Sequence, residues 1–235
     1  MDGILLVNKP AGISSFAVVA KVRGIWRAQL REAGESIKRA KVGHTGTLDP
    51  AATGLMILVL GSYTKKAEQF SKLDKVYEVS ACLGAVSTTG DREGEITKTG
   101  TKQPTLAEIN AVLAKFEGQI QQTPPAYSAI KLGGVRAYKL ARAGKEVVLE
   151  PRTVHIHSIR SIDYNYPKLT FTAHVGSGTY IRSLVEDIGQ ALATGAYMTE
   201  LSRAKVGKYS LEEAINLDNL EYSDIIKAIE RFSSE

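Results

Sequence analysis

The stretch from Lys41 to Gly61 limits what this chain can fold into more than any other. Its second half, Leu55-Met56-Ile57-Leu58-Val59-Leu60, is an unbroken apolar run, the pattern of a strand buried on both faces. Its first half, Lys41-Val42-Gly43-His44-Thr45-Gly46-Thr47-Leu48-Asp49-Pro50-Ala51-Ala52-Thr53-Gly54, holds three glycines, one histidine and one carboxylate. Glycine lets backbone approach another molecule closely, and Pro50 biases Asp49 toward an extended conformation. The stretch reads as a shaped loop presenting one acid at the edge of a core strand. An Asp-Pro pair is also a common helix start, with Asp as the cap and Pro at the first helical position.

Length and charge set outer bounds. A chain of 235 residues makes one large domain or two small ones. The single cysteine, Cys82, excludes an intramolecular disulfide and a cysteine zinc site and suits a reducing cytoplasm. The N-terminus has no signal-peptide pattern, and no run reaches the length of a membrane span. His155 and His157 share a strand face, yet no third metal ligand stands at a usual spacing. There is no HExxH, P-loop or dinucleotide fingerprint. The net charge of +5 is unevenly placed: residues 21–41 carry seven Lys/Arg against two Glu, residues 131–152 six against two, and residues 211–235 two against seven acids. Two basic segments and an acidic tail fit a polyanionic partner, and equally the solvated faces of surface helices.

Local patterns place the elements. Gly3–Val7 reads as a short buried strand and Asn8–Gly12 as a turn. Ser14 or Ser15 caps a helix with Val18, Val22, Ile25 and Trp26 on one side, and the basic segment 27–41 is helix-compatible. Residues 75–84 alternate, which turns Tyr77, Val79, Ala81 and Leu83 to one face. Leu106, Ile109, Val112, Leu113 and Phe116 form a helical stripe over 105–117. Arg136, Tyr138, Lys139 and Arg142 fall on a short helix, after Lys131. Basic residues interleaved with tyrosines suit RNA, whose phosphates attract charge and whose bases stack on rings. A strand over 169–175 leads into a helix with Thr179 as its cap. That puts Arg182 in the first turn, where a cation opposes the helix dipole; a local rule broken without gain marks a functional position.

The string GHTGTLDPAATG resembles the nucleophile loop of the bacterial TruB-type tRNA pseudouridine synthases, which isomerise one uridine of the T loop (position 55). Lys9-Pro10-Ala11-Gly12-Ile13-Ser14-Ser15 is similar to a KPxGxTS-type motif that shapes the floor of that family's site. Leu83–Gly94 is similar to a family strand and turn, Gly178-Thr179-Tyr180-Ile181-Arg182 matches its GTYIR motif, and Leu201-Ser202-Arg203 resembles its last site motif. The resemblance implies an α+β pseudouridine synthase fold: a mixed, mainly antiparallel sheet with flanking helices and a central catalytic cleft. It implies a catalytic domain over 1–215, with a basic insertion at about 124–152 folding over the RNA and an acidic helix or tail over 216–235. It leaves no room for the C-terminal PUA domain of many members. The connection at 27–41 is longer than the family usually has, and its role stays open.

The resemblance also assigns roles. Asp49 is the essential acid, Tyr77 stacks on the uracil and moves a proton, and Arg182 pairs with the aspartate. His44 fills the space left by the flipped uridine, Tyr180 and Lys9 shape the pocket, and Leu201 packs beside the base. Lys131, Arg136, Lys139 and Arg142 are the candidates for gripping RNA. Asp49 acts as a nucleophile at C1′ or C6, or by stabilising an elimination intermediate. The isomerisation oxidises and hydrolyses nothing overall, so no cofactor and no metal is implied. The expected partner is the T arm of tRNA, with no membrane and no obligate protein partner, for a cytoplasmic monomer. Two alternatives are a guide-RNA-dependent pseudouridine synthase and a non-catalytic RNA-binding protein that helps tRNA fold.

Overall fold

Residues 1–232 are described by a computed structural model of the chain, in two units: Met1–Tyr77 with Leu201–Glu235, and Glu78–Glu200. The first unit begins with strand β1 (Gly3–Lys9), helix α1 (Ser15–Glu32), and strands β2 (Val42–His44) and β3 (Thr53–Leu60). The short helix α2 (Ala67–Ser71) follows, and then strand β4 (Lys75–Leu83), which carries the chain into the second unit. The apolar run is the body of β3 and is buried on both faces. It pairs antiparallel with β1, from Gly3 opposite Leu60 to Lys9 opposite Gly54. On its other edge β2 pairs with it, from Val42 opposite Leu60 to His44 opposite Leu58.

Helix α1 starts where the serines place it. The Ser14 side chain accepts the Ala17 N–H, and Val18, Val19, Val22, Trp26 and Leu30 are buried. Ile25, expected in that stripe, is only half-buried. The helix stops at Glu32, and residues 37–39 make a single 3-10 turn, so the basic segment is helical only in its first part. Ile4, Leu6, Leu55, Ile57, Val59 and Val206 form a core cluster. Burying a side chain of this kind fully contributes about 1.5–3 kcal/mol.

The second unit holds strands β5 (Ala85–Ser87) and β6 (Ile96–Lys98), helix α3 (Leu106–Lys115) and strand β7 (Gly118–Gln122). Strands β8 (Lys131–Leu132) and β9 (Val135–Arg136) make a hairpin closed by Gly133-Gly134 and followed by helix α4 (Ala137–Arg142). Strands β10 (Arg152–Asn165) and β11 (Lys168–Val175), helix α5 (Ile181–Ala191) and strand β12 (Ala196–Val206) complete it, the last returning to the first unit. Its sheet runs β4-β11-β10-β7. Helix α3 carries the capping box that its Thr-x-x-Glu spelling dictates, between Thr105 and Glu108. Ile109 and Leu113 are buried, whereas Leu106 is half exposed because only the later turns of the helix are covered. Helix α5 is capped by Tyr180 rather than by the expected Thr179. The Thr179 hydroxyl instead donates to the Gly176 carbonyl.

The returning segment completes the first unit with β13 (Tyr209–Ser210), β14 (Ile215–Asn216) and helix α6 (Tyr222–Glu230). Here β12 lies parallel to β3, with Ser202 opposite Thr53 and Arg203 opposite Gly54. Strand β14 lies parallel to β1, giving the order β14-β1-β3-β12. Pairing in the two units is mixed and mainly antiparallel, with helices flanking the strands, as the α+β expectation has it. The last three residues of the acidic segment 216–235 lie outside the described residues.

Candidate active site

In the first unit, the loop between β2 and β3 is held on both sides of Asp49. The Ser15 hydroxyl donates to the Leu48 carbonyl and accepts the Leu48 N–H, each at 2.8 Å. Lys9 is fully buried and donates its ammonium protons to the carbonyls of Pro10, Ile13 and Pro50 at 2.8, 2.8 and 3.0 Å. The Gly12 N–H also donates to Pro50. Asp49 is half-buried and sits in a tight turn, its carbonyl accepting the Ala52 N–H at 3.1 Å. The Asp-Pro pair therefore starts a turn and not a helix.

Arg203 fixes the two ends of the same loop. It is 2% exposed, and it donates from Nε to the Leu55 carbonyl at 2.7 Å and from its terminal nitrogen to the Gly46 carbonyl at 3.1 Å. Gly54 is needed beside it. Its φ is +103°, and a Cβ there would stand 2.5 Å from the Arg203 carbonyl oxygen, a position no other side chain tolerates.

The surroundings of the acid are electropositive. Burial pushes the Lys9 ammonium down to about 8, the Asp49 charge pulls it back up, and Arg203 lowers it. Lys75, two residues before Tyr77 on β4, is also pushed down to about 8, first by burial and then by Arg203. Tyr77 itself is 8% exposed on the inward face of its strand, in register with buried Lys75, Val79 and Ala81. His44 is half-buried at the end of β2. Leu201 is half-buried on β12, and its carbonyl accepts the Thr53 hydroxyl at 3.4 Å.

The second unit gathers a different set around Arg182. This residue is 6% exposed and donates to the carbonyls of Thr89 at 3.0 Å and Tyr127 at 2.8 Å. Its Nε lies 3.7 Å from a carboxylate oxygen of Asp91. Asp91 is buried in turn and accepts the Thr89 hydroxyl at 2.6 Å and the Glu93 N–H at 3.0 Å. The start of α5 is clamped by Gln122, which is fully buried. Its amide donates to the Tyr180 carbonyl at 3.0 Å and accepts the Tyr180 N–H at 2.8 Å. The Arg152 guanidinium stacks on the Tyr180 ring at 4.8 Å. Glu186, one turn along from Arg182, has its carboxyl pushed up by burial, against the pull of Arg182.

The basic candidates sit together on the exposed β8–β9–α4 element. Lys131 and Arg136 are directly opposite across the hairpin, and the Arg142 guanidinium lies 5.8 Å from the Tyr138 ring. Lys139 is exposed on α4. Like charges placed opposite each other weaken a strand pair, so this arrangement suits a surface that meets an anion. Elsewhere in the unit, His155, His157 and His174 stack in a row on β10 and β11, at 4.4 and 4.5 Å between ring centres.

Of the residues singled out by sequence, Lys9, His44, Asp49, Tyr77 and Leu201 lie in the first unit, and Tyr180, Arg182 and the basic group lie in the second. The sequence reading attached no role to Asp91, Gln122 or Arg203, and it gave Ser15 only as a candidate helix cap, whereas Ser14 is the cap and Ser15 holds Leu48. The available signal was their occurrence inside or beside motifs already singled out. For Arg203 there was also a charge two residues from Leu201, on a strand that must be partly buried.

The TruB family pseudouridylate synthase N-terminal domain matches residues 35–181, and the tRNA pseudouridylate synthase B C-terminal domain matches residues 182–229. A relative named tRNA pseudouridine synthase B, from Burkholderia mallei (strain NCTC 10247), is 42% identical over 221 residues, covering 94% of this chain and 70% of that protein. One of the same name from Pseudomonas fluorescens (strain Pf0-1) is 42% identical, covering 94% and 69%. Among solved structures, a chain from a Cbf5-Nop10-Gar1 complex has a TM-score of 0.69 and 28% identity, covering 93% of this chain and 53% of that one. A chain from an H/ACA RNP bound to a substrate RNA containing 2′-deoxyuridine has a TM-score of 0.66 and 26% identity, covering 93% and 52%. This chain therefore spans about half the length of those two structures' chains. Matched by the family over most of its length and by relatives at 42% identity, the chain belongs to the TruB family of pseudouridylate synthases.

Proposed function

We propose that this protein converts the T-loop uridine of tRNA, position 55, to pseudouridine without a guide RNA. Relatives named tRNA pseudouridine synthase B, aligned over 94% of the chain, support the substrate and the reaction. The observation that carries the reading is the Asp49 loop, with its backbone fixed by Ser15, Lys9 and Arg203. Such fixing is what a carboxylate needs if it is to meet one atom of a ribose or a base.

In this reading the C1′–N1 bond breaks, the uracil turns, C5 bonds to C1′, the C5 proton leaves, and N1 takes up a proton. Asp49 acts on the uridine at C1′ or C6, or by stabilising an elimination intermediate. Tyr77 stacks on the base and moves a proton. Arg182 is the permanent cation that favours the ionised acid. His44 occupies the place of the extruded base, whose flipping costs a few kcal/mol. Tyr180, Leu201 and Lys9 shape the pocket, and Lys131, Arg136, Lys139 and Arg142 meet RNA phosphates. Residues 1–215 form the catalytic domain and 216–235 an acidic appendage. The protein works as a cytoplasmic monomer; no helix among the described residues is long and apolar enough to cross a membrane.

The test is tritium release from an unmodified tRNA transcript labelled at uracil C5. Release from one T-loop uridine by the wild type, and none by Asp49→Asn, is the expected result. The likeness to H/ACA RNP chains favours a guide-dependent enzyme as the second reading. Absence of release from the purified protein, with release restored by a small guide RNA, would select it.

A further inference from the structure

The first unit contains an open cavity of about 510 Å³ lined by Lys38, Arg39, Lys41 and Lys65, with Trp26 also lining it. The two cation-bearing segments are tied together, since the Gly61 N–H donates to the Lys41 carbonyl at 2.8 Å. Trp26 is 3% exposed on α1 and anchors the wall. The carboxylate among the described lining residues is Asp2, and it already accepts the Ser62 N–H at 2.5 Å. Arg39 is paired with Glu35, which leaves the exposed ammonium groups of Lys38, Lys41 and Lys65 as the main source of positive charge.

Like charges gathered around a concavity repel one another and weaken the fold, and they are relieved by an anion. The surrounding segment repeats the bias, with seven Lys/Arg against two Glu over residues 21–41. The cavity is also placed in sequence next to the loop of Asp49. Lys41 leads directly into β2, and His44 lies three residues further along, about 10 Å of strand.

We propose that this cavity is a second RNA contact, which binds phosphodiester groups of the strand whose uridine is presented to Asp49. The inference rests on the reading of the protein as an RNA-modifying enzyme and adds to it a grip built by the long connection after α1. Trp26 and the 3-10 turn at 37–39 hold the cations in place, and the contact carries no sequence preference, because phosphates are alike at every position.

The test compares wild type, Lys38→Glu/Lys65→Glu, and a control with the same charge change outside the cavity, Lys115→Glu/Lys168→Glu. Binding to the tRNA transcript is measured across salt concentrations, with tritium release measured in parallel and thermal unfolding as the check on folding. Losing two phosphate contacts makes the slope of log affinity against log salt shallower by about 1.4–1.8 and raises KM about tenfold or more, with kcat kept. An unchanged slope and KM in the cavity variant, or an equal loss in the control, overturns the proposal while leaving the synthase reading intact. Absent tritium release from the wild type, with the slope still lost in the cavity variant alone, overturns the synthase reading and leaves the phosphate contact standing.

Discussion

Arg182 and Asp91 form a buried ion pair, Nε to carboxylate oxygen at 3.7 Å, with both side chains almost shielded from water. The pair is part of a wider network. Thr89 donates to Asp91 through its hydroxyl and accepts from Arg182 through its carbonyl, and Tyr127 holds another nitrogen of the guanidinium. Asp91 thus orients the cation that the family motif places at position 182.

Replacing Asp91 leaves a buried guanidinium with less compensation, a change that costs about 3–5 kcal/mol when one partner of a buried pair is removed. Asp91→Ala is expected to lower stability by this order in denaturant unfolding. It is also expected to lower kcat for tritium release far more than it raises KM, because the cation is misplaced while the residues proposed to meet RNA are untouched. Unchanged kcat in the folded variant would show that Asp91 serves the fold alone.

Arg203 makes its two loop contacts with two different nitrogens of one planar group. A lysine has a single nitrogen and cannot reproduce that geometry. Arg203→Lys should therefore cost about 1–3 kcal/mol through a carbonyl left without its donor and reduce kcat through a looser Asp49 loop. Hydrogen exchange at residues 45–55 checks the loosening; protection equal to wild type would refute it. Gly54→Ala should be worse, because its methyl would meet Arg203 backbone and not a movable side chain.

The Lys9 ammonium, held down to about 8 from 10.5, gives a pH signature. Between those values the unfolded chain keeps the proton and the folded chain releases it. Stability therefore rises as pH climbs from about 8 toward 10.5, and the full penalty of burying the charge is present below 8. The stability of wild type relative to Lys9→Met should increase across that window in denaturant titrations; parallel curves would refute it. Asp49→Asn removes the charge that pulls Lys9 up and should move its titration below 8, readable by NMR of the lysine side chain.

Gln122 satisfies both backbone groups of Tyr180 from a fully buried position. Gln122→Leu removes the acceptor of the Tyr180 N–H and leaves the Tyr180 carbonyl with the Leu184 N–H alone, a loss of about 1–3 kcal/mol. Faster hydrogen exchange over residues 180–184 and a lower Tm are expected. Exchange unchanged there would mean that the Arg152 stack on Tyr180 holds the helix start without help.

What was legible in the chain was local. The apolar run became β3, Ser14 capped α1, Thr105 and Glu108 closed a capping box, and alternation turned Tyr77 inward. Each of these depends on residues within a turn or a strand of one another, where periodicity and capping chemistry act directly. The motif strings also marked Asp49 and Arg182 as the acid and the cation. The partners of those residues came from far along the chain. Arg203 reaches Leu55 across 148 positions, Arg182 reaches Thr89 across 93, and Gln122 reaches Tyr180 across 58. A buried polar group takes whatever donor or acceptor the packing brings to it, because leaving it unmade costs more than any local preference supplies. For that reason Gln122 holds the start of α5 at Tyr180, and Lys9 faces three carbonyls. The sequence alone determined most of the elements and singled out the candidate reactive residues, and the tertiary structure decided which distant groups hold those residues in place.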